Sequence, residues 1–287
     1  MDTNGTLYLC ATPIGNLEDI TYRVLRTLRE VDVITAEDTR NSIKLLNHFD
    51  IHTPMTSYHE YNKIEKAYQL IEQMRQGKKV ALITDAGTPG ISDPGEDLVR
   101  IALEEGITVT SLPGAAACVT ALTMSGQATR RFAFEAFLPR DKKERTKVLE
   151  ELQTETRTII LYEAPHHLVS TLEELYEALG NREISICREL TKRHEEVRKT
   201  TLEDVLSYYK DHEPRGEYVL VVAGRDRREM EMQAQKAWEE MSLEEHMAIY
   251  ETQGMARKEA MKQVAKDRGI SKREVYQALL EDRSAAE

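Results

Sequence analysis

Residues 84–95 (TDAGTPGISDPG) constrain the fold of this chain more than any other stretch of its sequence. An apolar run at residues 80–83 leads into them, and a helical pattern at residues 97–103 follows. In α/β enzymes, a strand, a loop rich in glycine and proline, and a helix bring the backbone close to a ligand beyond the strand's carboxyl end. We therefore predict a ligand-binding loop, with a long surface turn as the alternative.

The first half of the chain alternates between short apolar strands and helices. Strands are predicted at residues 7–11, 31–36, 55–58, 80–84 and 108–111. Helices are predicted at residues 22–29, 42–49, 63–75, 97–105 and 115–124. This alternation is typical of a mostly parallel sheet that is covered by helices on both faces. We assign residues 1–118 to this N-terminal α/β domain.

The alternation restarts near residue 130 and predicts a second α/β domain over residues 119–228. Its strands are expected at residues 132–134, 158–162, 184–187, 195–200 and 218–223. Its helices are expected at residues 142–153, at residues 171–179 and from residue 201. Thr171 and Glu174 stand at capping-box spacing, and Thr201 is the expected N-cap of the last of these helices.

Residues 229–287 lack strand signals and form a predicted helical module. Ser242 with Glu245 and Ser271 with Glu274 stand at capping-box spacing, and Gly269 separates two predicted helices in a helix-turn-helix-like order. Residues 256–273 hold seven lysines and arginines against two acids. A small packing module and a nucleic-acid contact are equally good interpretations of this pattern.

The overall composition restricts the function classes. The 287 residues carry a formal net charge of −11, which argues against non-specific wrapping of nucleic acid but allows a local basic patch. The three cysteines, Cys10, Cys118 and Cys187, lie in separate apolar segments without metal-type spacing, as in reduced cytoplasmic proteins. No membrane span, secretion signal or metal-binding motif is evident, so a soluble cytoplasmic protein is expected.

Eight short motifs occur in an order that identifies a family. They are PIGNLEDIT at residues 13–21, EDTR at 37–40, SYHE at 57–60, TDAGTP at 84–89, SDPG at 92–95, FLP at 137–139, RELTK at 188–192 and GEYVL at 216–220. With them the chain resembles the bacterial 16S ribosomal RNA ribose 2′-O-methyltransferases, within the tetrapyrrole-methylase-like, class III group of methyltransferases. The resemblance covers nearly the whole chain.

The resemblance implies two α/β domains with S-adenosyl-L-methionine in the cleft between them, and a small C-terminal helical module. It also implies a homodimer that methylates the ribose 2′-oxygen of a cytidine in the decoding region of the small ribosomal subunit. The implied cofactor-binding residues are Pro13, Asp85, Ala86, Gly87, Thr88, Ile91, Ser92, Pro113, Gly114, Ala115, Ala116, Tyr162 and Leu220. Ala136 departs from the family pattern, since many relatives carry glycine there, and His167 stands where an arginine is frequent.

Methyl transfer to a ribose hydroxyl requires positioning of the oxygen and removal of its proton. A positioned base contributes on the order of 10²–10⁴-fold to such a reaction. Candidates lie on two loops that follow strands, and they are Glu37, Asp38, Arg40, His59 and Glu60. Arg40 suits a phosphate or a developing alkoxide, His59 or Glu60 suits the proton, and Asp38 suits their orientation. Helix capping by Asp38 and a structural hydrogen bond by His59 are the alternatives.

Several basic residues are candidate contacts to ribosomal RNA phosphates, and Arg140 among them follows the FLP turn that is expected to face the cleft. They are Arg130, Arg131, Arg140, Lys142, Lys143, Arg145, Lys192 and Arg193. A solvated helix face is the alternative for residues 142–147, which also contain Glu144. We expect Arg188 and Glu189 to pair with each other. An acidic protein can recognise a folded ribosomal particle by shape and a few basic contacts.

Three other functions compete with the main interpretation. A methyltransferase acting on a tetrapyrrole ring carbon is disfavoured by the EDTR loop and by the basic C-terminal module. A ligand-sensing helix-turn-helix regulator would bind duplex DNA and transfer no methyl group. A dinucleotide-dependent dehydrogenase is weaker still, because no Gly-x-Gly-x-x-Gly motif follows the first strand.

Overall fold

The computed structural model describes residues 4–61 and 63–285. The chain divides into two compact units, Met1–Gly224 and Arg225–Glu287. The first unit contains two five-stranded sheets, and the second consists of helices. The α/β class with an added helical module is therefore confirmed. The predicted boundary at residue 118, which lies within the first unit, stays a prediction.

The first sheet is entirely parallel, with strand order β3-β2-β4-β1-β5. Its strands are β1 (Thr6–Cys10), β2 (Val33–Ala36), β3 (Met55–Ser57), β4 (Val80–Ile83) and β5 (Thr108–Leu112). The chain leaves β1 toward β2 on one side of the β1–β4 pair and leaves β4 toward β5 on the other side. Loops diverge at such a switch point, which is where open α/β sheets bind ligands.

Helices cover both faces of the first sheet, as the strand–helix alternation predicts. They are α1 (Tyr22–Glu30), α2 (Thr39–His48), α3 (Lys63–Arg75) and α4 (Gly95–Glu104). Ala81 and Ile83 of β4 pack with α1 and α2, whereas Val80 and Leu82 pack with α3 and α4. Both faces of the central strand are buried, which explains its uninterrupted apolar sequence.

The second sheet is mixed, with strand order β6-β7-β10-β8-β9. Its strands are β6 (Phe132–Ala136), β7 (Thr158–Glu163), β8 (Glu183–Arg188), β9 (Glu196–Thr201) and β10 (Tyr218–Val222). Only β6 and β7 pair in parallel, and the remaining pairs are antiparallel. The alternation of strands and helices in the sequence does not reveal this difference, because it does not specify which strands become neighbours.

Two layers of helix cover the second sheet. On one face lie α6 (Lys142–Leu152), α7 (Leu168–Leu179) and α8 (Leu202–Asp211). The other face packs against α5 (Ala117–Met124), whose Ala121 and Leu122 contact the strand residues Ile160 and Val219. Helix α5 therefore belongs with the second sheet, although it directly follows the last strand of the first.

One of the two helix caps predicted in the second sheet's domain is present, and the other is not. Thr201 caps α8 as predicted, since its hydroxyl accepts the Asp204 N–H at 3.2 Å. The capping box predicted for Thr171 and Glu174 is wrong, because α7 begins three residues earlier, at Leu168. The Thr171 hydroxyl instead donates to the Glu163 carboxylate at 2.6 Å.

The second unit contains α9 (Arg227–Glu239), α10 (Leu243–Thr252), α11 (Arg257–Asp267) and α12 (Lys272–Ala285). The Ser242–Glu245 capping box is confirmed, as is reciprocal bonding between Ser271 and Glu274. Met247, Val264 and Val275 contribute to its separate core. Nucleic-acid binding by this unit stays a prediction.

The three cysteines are buried and unpaired with one another, as the sequence predicts. Cys10 lies in the core of the first sheet, and Cys187 packs beneath α5. Burial raises the pKa of both thiols to about 12. Within residues 4–61 and 63–285, no helix has an apolar run long enough to span a bilayer.

We predict that Cys10 and Cys187 resist alkylation in the native protein. With a thiol pKa of about 12, the thiolate fraction at pH 8 is on the order of 10⁻⁴. Iodoacetamide labelling followed by peptide mass spectrometry measures this directly, with protein unfolded in guanidinium as the positive control. Equally fast labelling of native and unfolded protein would contradict the buried placement.

Candidate active site

The loops after β1 and β4 are joined by a backbone bridge at the switch point of the first sheet. The Thr12 N–H donates to the Gly87 carbonyl at 2.9 Å, and the Gly87 N–H donates to the Thr12 carbonyl at 3.0 Å. The Thr12 hydroxyl also donates to the Thr84 carbonyl at 3.1 Å. Gly87 has a φ of +86°, which residues with a Cβ rarely adopt. The bridge therefore fixes the two loops against each other.

Asp93 fixes the rest of the loop after β4. Its carboxylate accepts the backbone N–H groups of Gly90 at 2.9 Å, Ile91 at 3.1 Å and Gly95 at 2.8 Å. Ser92 beside it has a φ of +65°. Because one side chain satisfies three backbone donors, the loop keeps a defined path with little side-chain bulk. The loop is thus a rigid wall whose backbone a ligand can approach.

The loop after β5 packs closely behind this wall. The Thr88 hydroxyl donates to the Ala115 carbonyl at 2.9 Å. A Cβ on Gly114 would lie only 2.5 Å from the Cβ of Ala11, which is too close for two carbon atoms. Glycine at position 114 therefore allows the loops after β1 and β5 to approach each other.

A cavity of about 480 Å³ opens between these loops and the second sheet. Small-molecule sites occupy roughly 300–1,000 Å³. From the first sheet the cavity is lined by Ile14, Glu37, residues 84–88 and residues 91–93. From α5 and the second sheet it is lined by Ala116, Ala117, Phe137, Tyr162, Glu163, Ala164, Pro165, Leu190, Glu217, Tyr218 and Val219.

Many of the residues predicted to bind a cofactor meet at this cavity. Those lining it are Asp85, Ala86, Gly87, Thr88, Ile91, Ser92, Ala116 and Tyr162. The predicted residues Pro113, Gly114 and Ala115 do not line the cavity, but belong to the loop that packs behind its wall. Pro13 lines a neighbouring cavity of about 170 Å³, which shares Thr84 and Asp85 with the larger one.

Leu220 does not line the cavity and is replaced there by Val219. The Leu220 side chain is fully buried with Leu161 and Ile186 on the opposite face of the second sheet. Val219 faces α5 and the cavity. Successive side chains of a strand point to opposite faces, so an error of one residue moves a side chain across the sheet.

Aromatic rings form part of the second sheet's side of the cavity. The ring centroids of Tyr162 and Phe137 are 5.7 Å apart in an edge-to-face arrangement. The Tyr162 hydroxyl accepts the Cys118 N–H at 3.2 Å, and burial raises its pKa, so it stays protonated. Ala136 has a φ of +54°. A glycine at this position would avoid a strain of about 1 kcal/mol.

The wall of the cavity is acidic. Its charged side chains are all carboxylates, those of Glu37, Asp85, Asp93, Glu163 and Glu217. No lysine or arginine is among the described residues that line it. Partial desolvation, followed by repulsion from Asp85 and Asp93, raises the pKa of the Glu37 carboxyl above its ordinary value. Such a wall attracts a cationic ligand. The described residues contain no cluster of three or more potential metal ligands.

Asp38 caps a helix, which is the structural alternative to a catalytic role for this residue. It is the N-cap of α2 and accepts the Arg40 N–H at 2.8 Å. Its carboxylate also pairs with the Arg40 guanidinium at 2.7 Å, and this hydrogen bond lowers the Asp38 pKa to about 2. Arg40 lines a groove beside the edge strand β3 and not the acidic cavity.

His59 and Glu60 also lie outside the lining of the cavity. Glu60 pairs with Lys63 at 2.7 Å, and Lys63 pairs in turn with Asp97 at 2.8 Å. These bonds tie the loop after β3 to helices α3 and α4. His59 packs near the ring of Tyr61 at 6.1 Å between centroids. Catalytic roles for these residues stay predictions.

The candidate RNA-binding residues fall into two groups. Exposed ones are Arg130, Arg131, Arg140, Lys142, Lys143 and Arg193. The Arg145 side chain is occupied by contacts within the protein, since it pairs with Glu174 and donates to the Thr171 hydroxyl at 2.8 Å. Lys192 is committed as well, because it pairs with Glu189 at 2.9 Å and Glu217 at 2.7 Å.

The expected pair of Arg188 with Glu189 is wrong. Arg188 pairs with Glu196 across β8 and β9 at 3.4 Å, and Glu189 pairs with Lys192. Sequence neighbours at a strand end point in different directions, so adjacency along the chain does not predict pairing.

Several residues of the wall are not among the individually predicted cofactor-binding positions, namely Asp93, Phe137, Glu163, Glu217 and Val219. Asp93, Phe137 and Glu217 belong to recognised motifs, and the alternation of side chains along β10 favours Val219 over Leu220 once one buried neighbour is known. Glu163 ends a buried strand, where only the tertiary structure shows that it reaches the cavity.

Comparison with known proteins identifies close relatives along nearly the whole chain. Residues 6–206 match the family described as tetrapyrrole (corrin/porphyrin) methylases. A protein of Halalkalibacterium halodurans is 50% identical over 96% of this chain and 94% of its own length. A Bacillus subtilis protein is 47% identical over 96% of this chain and 94% of its own length. Both are named "Ribosomal RNA small subunit methyltransferase I".

A solved structure shares the fold of the two sheets. Uroporphyrin-III-C-methyltransferase from Thermus thermophilus superposes with a TM-score of 0.54 at 21% identity, covering 76% of this chain and 94% of its own. At this identity the likeness concerns the fold and not the substrate.

We predict that Asp93→Ala loosens the loop after β4. Removing the carboxylate leaves the N–H groups of Gly90, Ile91 and Gly95 without their acceptor, at a cost of about 1–3 kcal/mol in the free energy of unfolding. Denaturant titration measures that loss, and amide hydrogen exchange should accelerate within residues 84–95.

Asp97→Ala is the matched control for this substitution. Asp97 lies on α4 and pairs with Lys63 and Arg100 near the surface, so its loss should cost less than about 1 kcal/mol. Equal effects of the two variants on exchange in residues 84–95 would contradict the role of Asp93.

Proposed function

The chain belongs to the tetrapyrrole methylase family, and on that basis we propose that it methylates small-subunit ribosomal RNA with S-adenosyl-L-methionine as the methyl donor. The acceptor in this proposal is the ribose 2′-oxygen of a cytidine in the decoding region of 16S ribosomal RNA. The names of the relatives support a methyltransferase of the small-subunit RNA, at 50% and 47% identity over 96% of the chain.

The acidic cavity at the switch point is the observation that carries this proposal. The methyl donor is a sulfonium cation, and the described lining supplies carboxylates without a single lysine or arginine. An anionic nucleotide cofactor would be repelled by the same wall. The residues present therefore fit S-adenosyl-L-methionine.

The rigid loops of the first sheet would hold the donor through their backbone. Residues 84–88 and 91–93 offer N–H and carbonyl groups with little side-chain bulk. Tyr162 and Phe137 offer apolar ring surface for a nucleoside. The donor brings an already activated methyl group, so the protein's contribution is to position the acceptor oxygen and to manage its proton.

We propose that Arg40 and His59 contact the RNA next to the acceptor ribose. They follow β2 and β3, so they lie at the carboxyl edge of the sheet that also carries the cavity, yet outside its lining. The Arg40 side chain is 87% exposed and is oriented by Asp38. A guanidinium in this setting suits a phosphate. Glu60 serves in this scheme to anchor the loop through Lys63.

Exposed basic residues next to the second sheet would contact the RNA backbone. Arg140 follows Phe137, which lines the cavity, whereas Arg130 and Arg131 precede β6 at the opposite end of the sheet, beside Arg157. Because the chain is acidic, with a net charge of −11, such local contacts fit recognition of a folded particle better than wrapping of free RNA.

We also propose a cytoplasmic homodimer with domain boundaries at residues 118 and 228, in line with the family.

The direct test supplies the purified protein with S-adenosyl-L-methionine that carries a radiolabelled methyl group. The acceptors, tested separately, are undermethylated small subunits, bare 16S RNA and a tetrapyrrole precursor. We expect label in one alkali-resistant ribose of subunit RNA. Label in the tetrapyrrole alone would contradict the proposal, and so would donor binding without any transfer.

Arg140→Ala is expected to weaken RNA binding without changing donor affinity. If Arg140 contacts a phosphate, its loss reduces the slope of log affinity against log salt concentration by about 1. Subunit binding across a salt series measures the slope, and calorimetry measures donor affinity.

Arg157→Ala is the control, because Arg157 precedes β7 at the end of that strand opposite to Glu163. It should leave the salt slope unchanged. An equal slope in both variants, or a matching loss of donor affinity in Arg140→Ala, would contradict the assignment of Arg140.

A further inference from the structure

The carboxylates of the cavity wall differ in their bonding, and four of them are committed to structural contacts. Asp93 accepts three backbone N–H groups, and Asp85 accepts the Asn41 amide at 3.2 Å. Glu163 accepts the Thr171 hydroxyl at 2.6 Å, and Glu217 pairs with Lys192 at 2.7 Å.

Glu37 is the exception in this wall. Within the part of the chain that the structure describes, its carboxylate has no hydrogen-bond or ion-pair partner. The charged groups closest in effect to it are themselves acids, Asp85 and Asp93 foremost. A carboxylate that stabilises no loop or helix end is available for a proton.

The strand register explains how Glu37 reaches the cavity. Glu37 directly follows β2, and Ala36 of β2 pairs in register with Ile83 of β4. Glu37 therefore stands beside Thr84, where the Gly/Pro-rich loop begins. Parallel neighbours lie about 4.8 Å apart, so the carboxylate lies at the same edge as the loop that would hold the donor.

We propose that Glu37 is the catalytic base that accepts the proton of the ribose hydroxyl. This inference rests on the proposed function and names the residue that completes it. The new bond joins the ribose oxygen to the methyl carbon, and the carbon–sulfur bond breaks with its electron pair left on sulfur. The hydroxyl proton passes to the Glu37 carboxylate and from there to water, so no further reactant is needed.

The surroundings of Glu37 adapt it to this role. Glu37 is solvent-accessible, and partial desolvation at the cavity wall together with the neighbouring carboxylates of Asp85 and Asp93 raises its pKa. A base whose pKa lies closer to the working pH accepts a proton from a weak acid more effectively. The other candidates are less suited, since Asp38 caps α2 and Glu60 is held by Lys63.

The first test compares the wild-type protein with Glu37→Gln, which keeps the size of the side chain but cannot accept the proton. We expect kcat on small subunits to fall on the order of 10²–10⁴-fold, with donor affinity within a few-fold of wild type. Glu37→Asp should retain more activity than Glu37→Gln. Glu65→Gln, which removes an exposed carboxylate on α3 outside the cavity, should behave as wild type.

The pH profile adds a readout that a structural role would not change. The base must be deprotonated, so wild-type kcat should decline as the pH falls through the pKa of Glu37. That acidic limb should disappear in Glu37→Gln. Carbon-13 NMR of glutamate-labelled protein without RNA gives an independent measure, because the resonance lost in Glu37→Gln should titrate at a higher pH than an ordinary glutamate carboxyl.

The outcomes separate this inference from the proposed function. Active wild type with an equally active Glu37→Gln would overturn the role of Glu37 alone. A loss of donor affinity with unchanged kcat would also overturn it, since Glu37 would then serve only to attract the cation. No transfer by the wild-type protein to any RNA substrate would overturn the proposed function and this inference together.

Discussion

The backbone bridge between Thr12 and Gly87 is the contact on which the site depends. It joins the loops after β1 and β4 at the place where the connections of the first sheet turn to opposite sides. Both bonds are between main-chain atoms, so the junction needs no bulky side chain. The bridge requires the positive φ of Gly87, and it leaves the adjoining backbone open to a ligand. The same backbone bridge therefore makes the edge of the first sheet rigid and leaves space for the cavity beside it.

The second sheet completes the cavity through equally close packing. A Cβ on Gly15 would lie 2.4 Å from the Lys192 side chain and 3.1 Å from the Leu190 carbonyl, so the loop after β1 contacts the segment after β8 directly. Lys192 in turn neutralises Glu189 and Glu217. A lysine that the sequence offers as an RNA contact thus holds two segments of the second sheet together. The wall stays acidic through its four other carboxylates, those of Glu37, Asp85, Asp93 and Glu163.

The different roles of Glu37 and Asp38 show what a sequence motif can and cannot predict. The EDTR motif identifies Glu37, Asp38 and Arg40 as a polar turn after a strand, and the structure confirms that turn. The motif does not distinguish the residue that caps α2 from the one that faces the cavity, because both are carboxylates one position apart. Their environments differ in the folded protein, where hydrogen bonding to Arg40 lowers the pKa of Asp38, whereas partial desolvation and nearby acids raise that of Glu37.

The sequence by itself determined the strands and helices, the parallel first sheet, the loop at residues 84–95 and the family. Those properties follow from local periodicity, turn chemistry and motif order, all of which depend on residues close together in the sequence. Only the tertiary structure decided the antiparallel pairs of the second sheet, the placement of Val219 in the wall and the internal ion pairs of Arg145 and Lys192. These depend on which segments meet in space, and long-range contacts leave no periodic signal in the residues that form them.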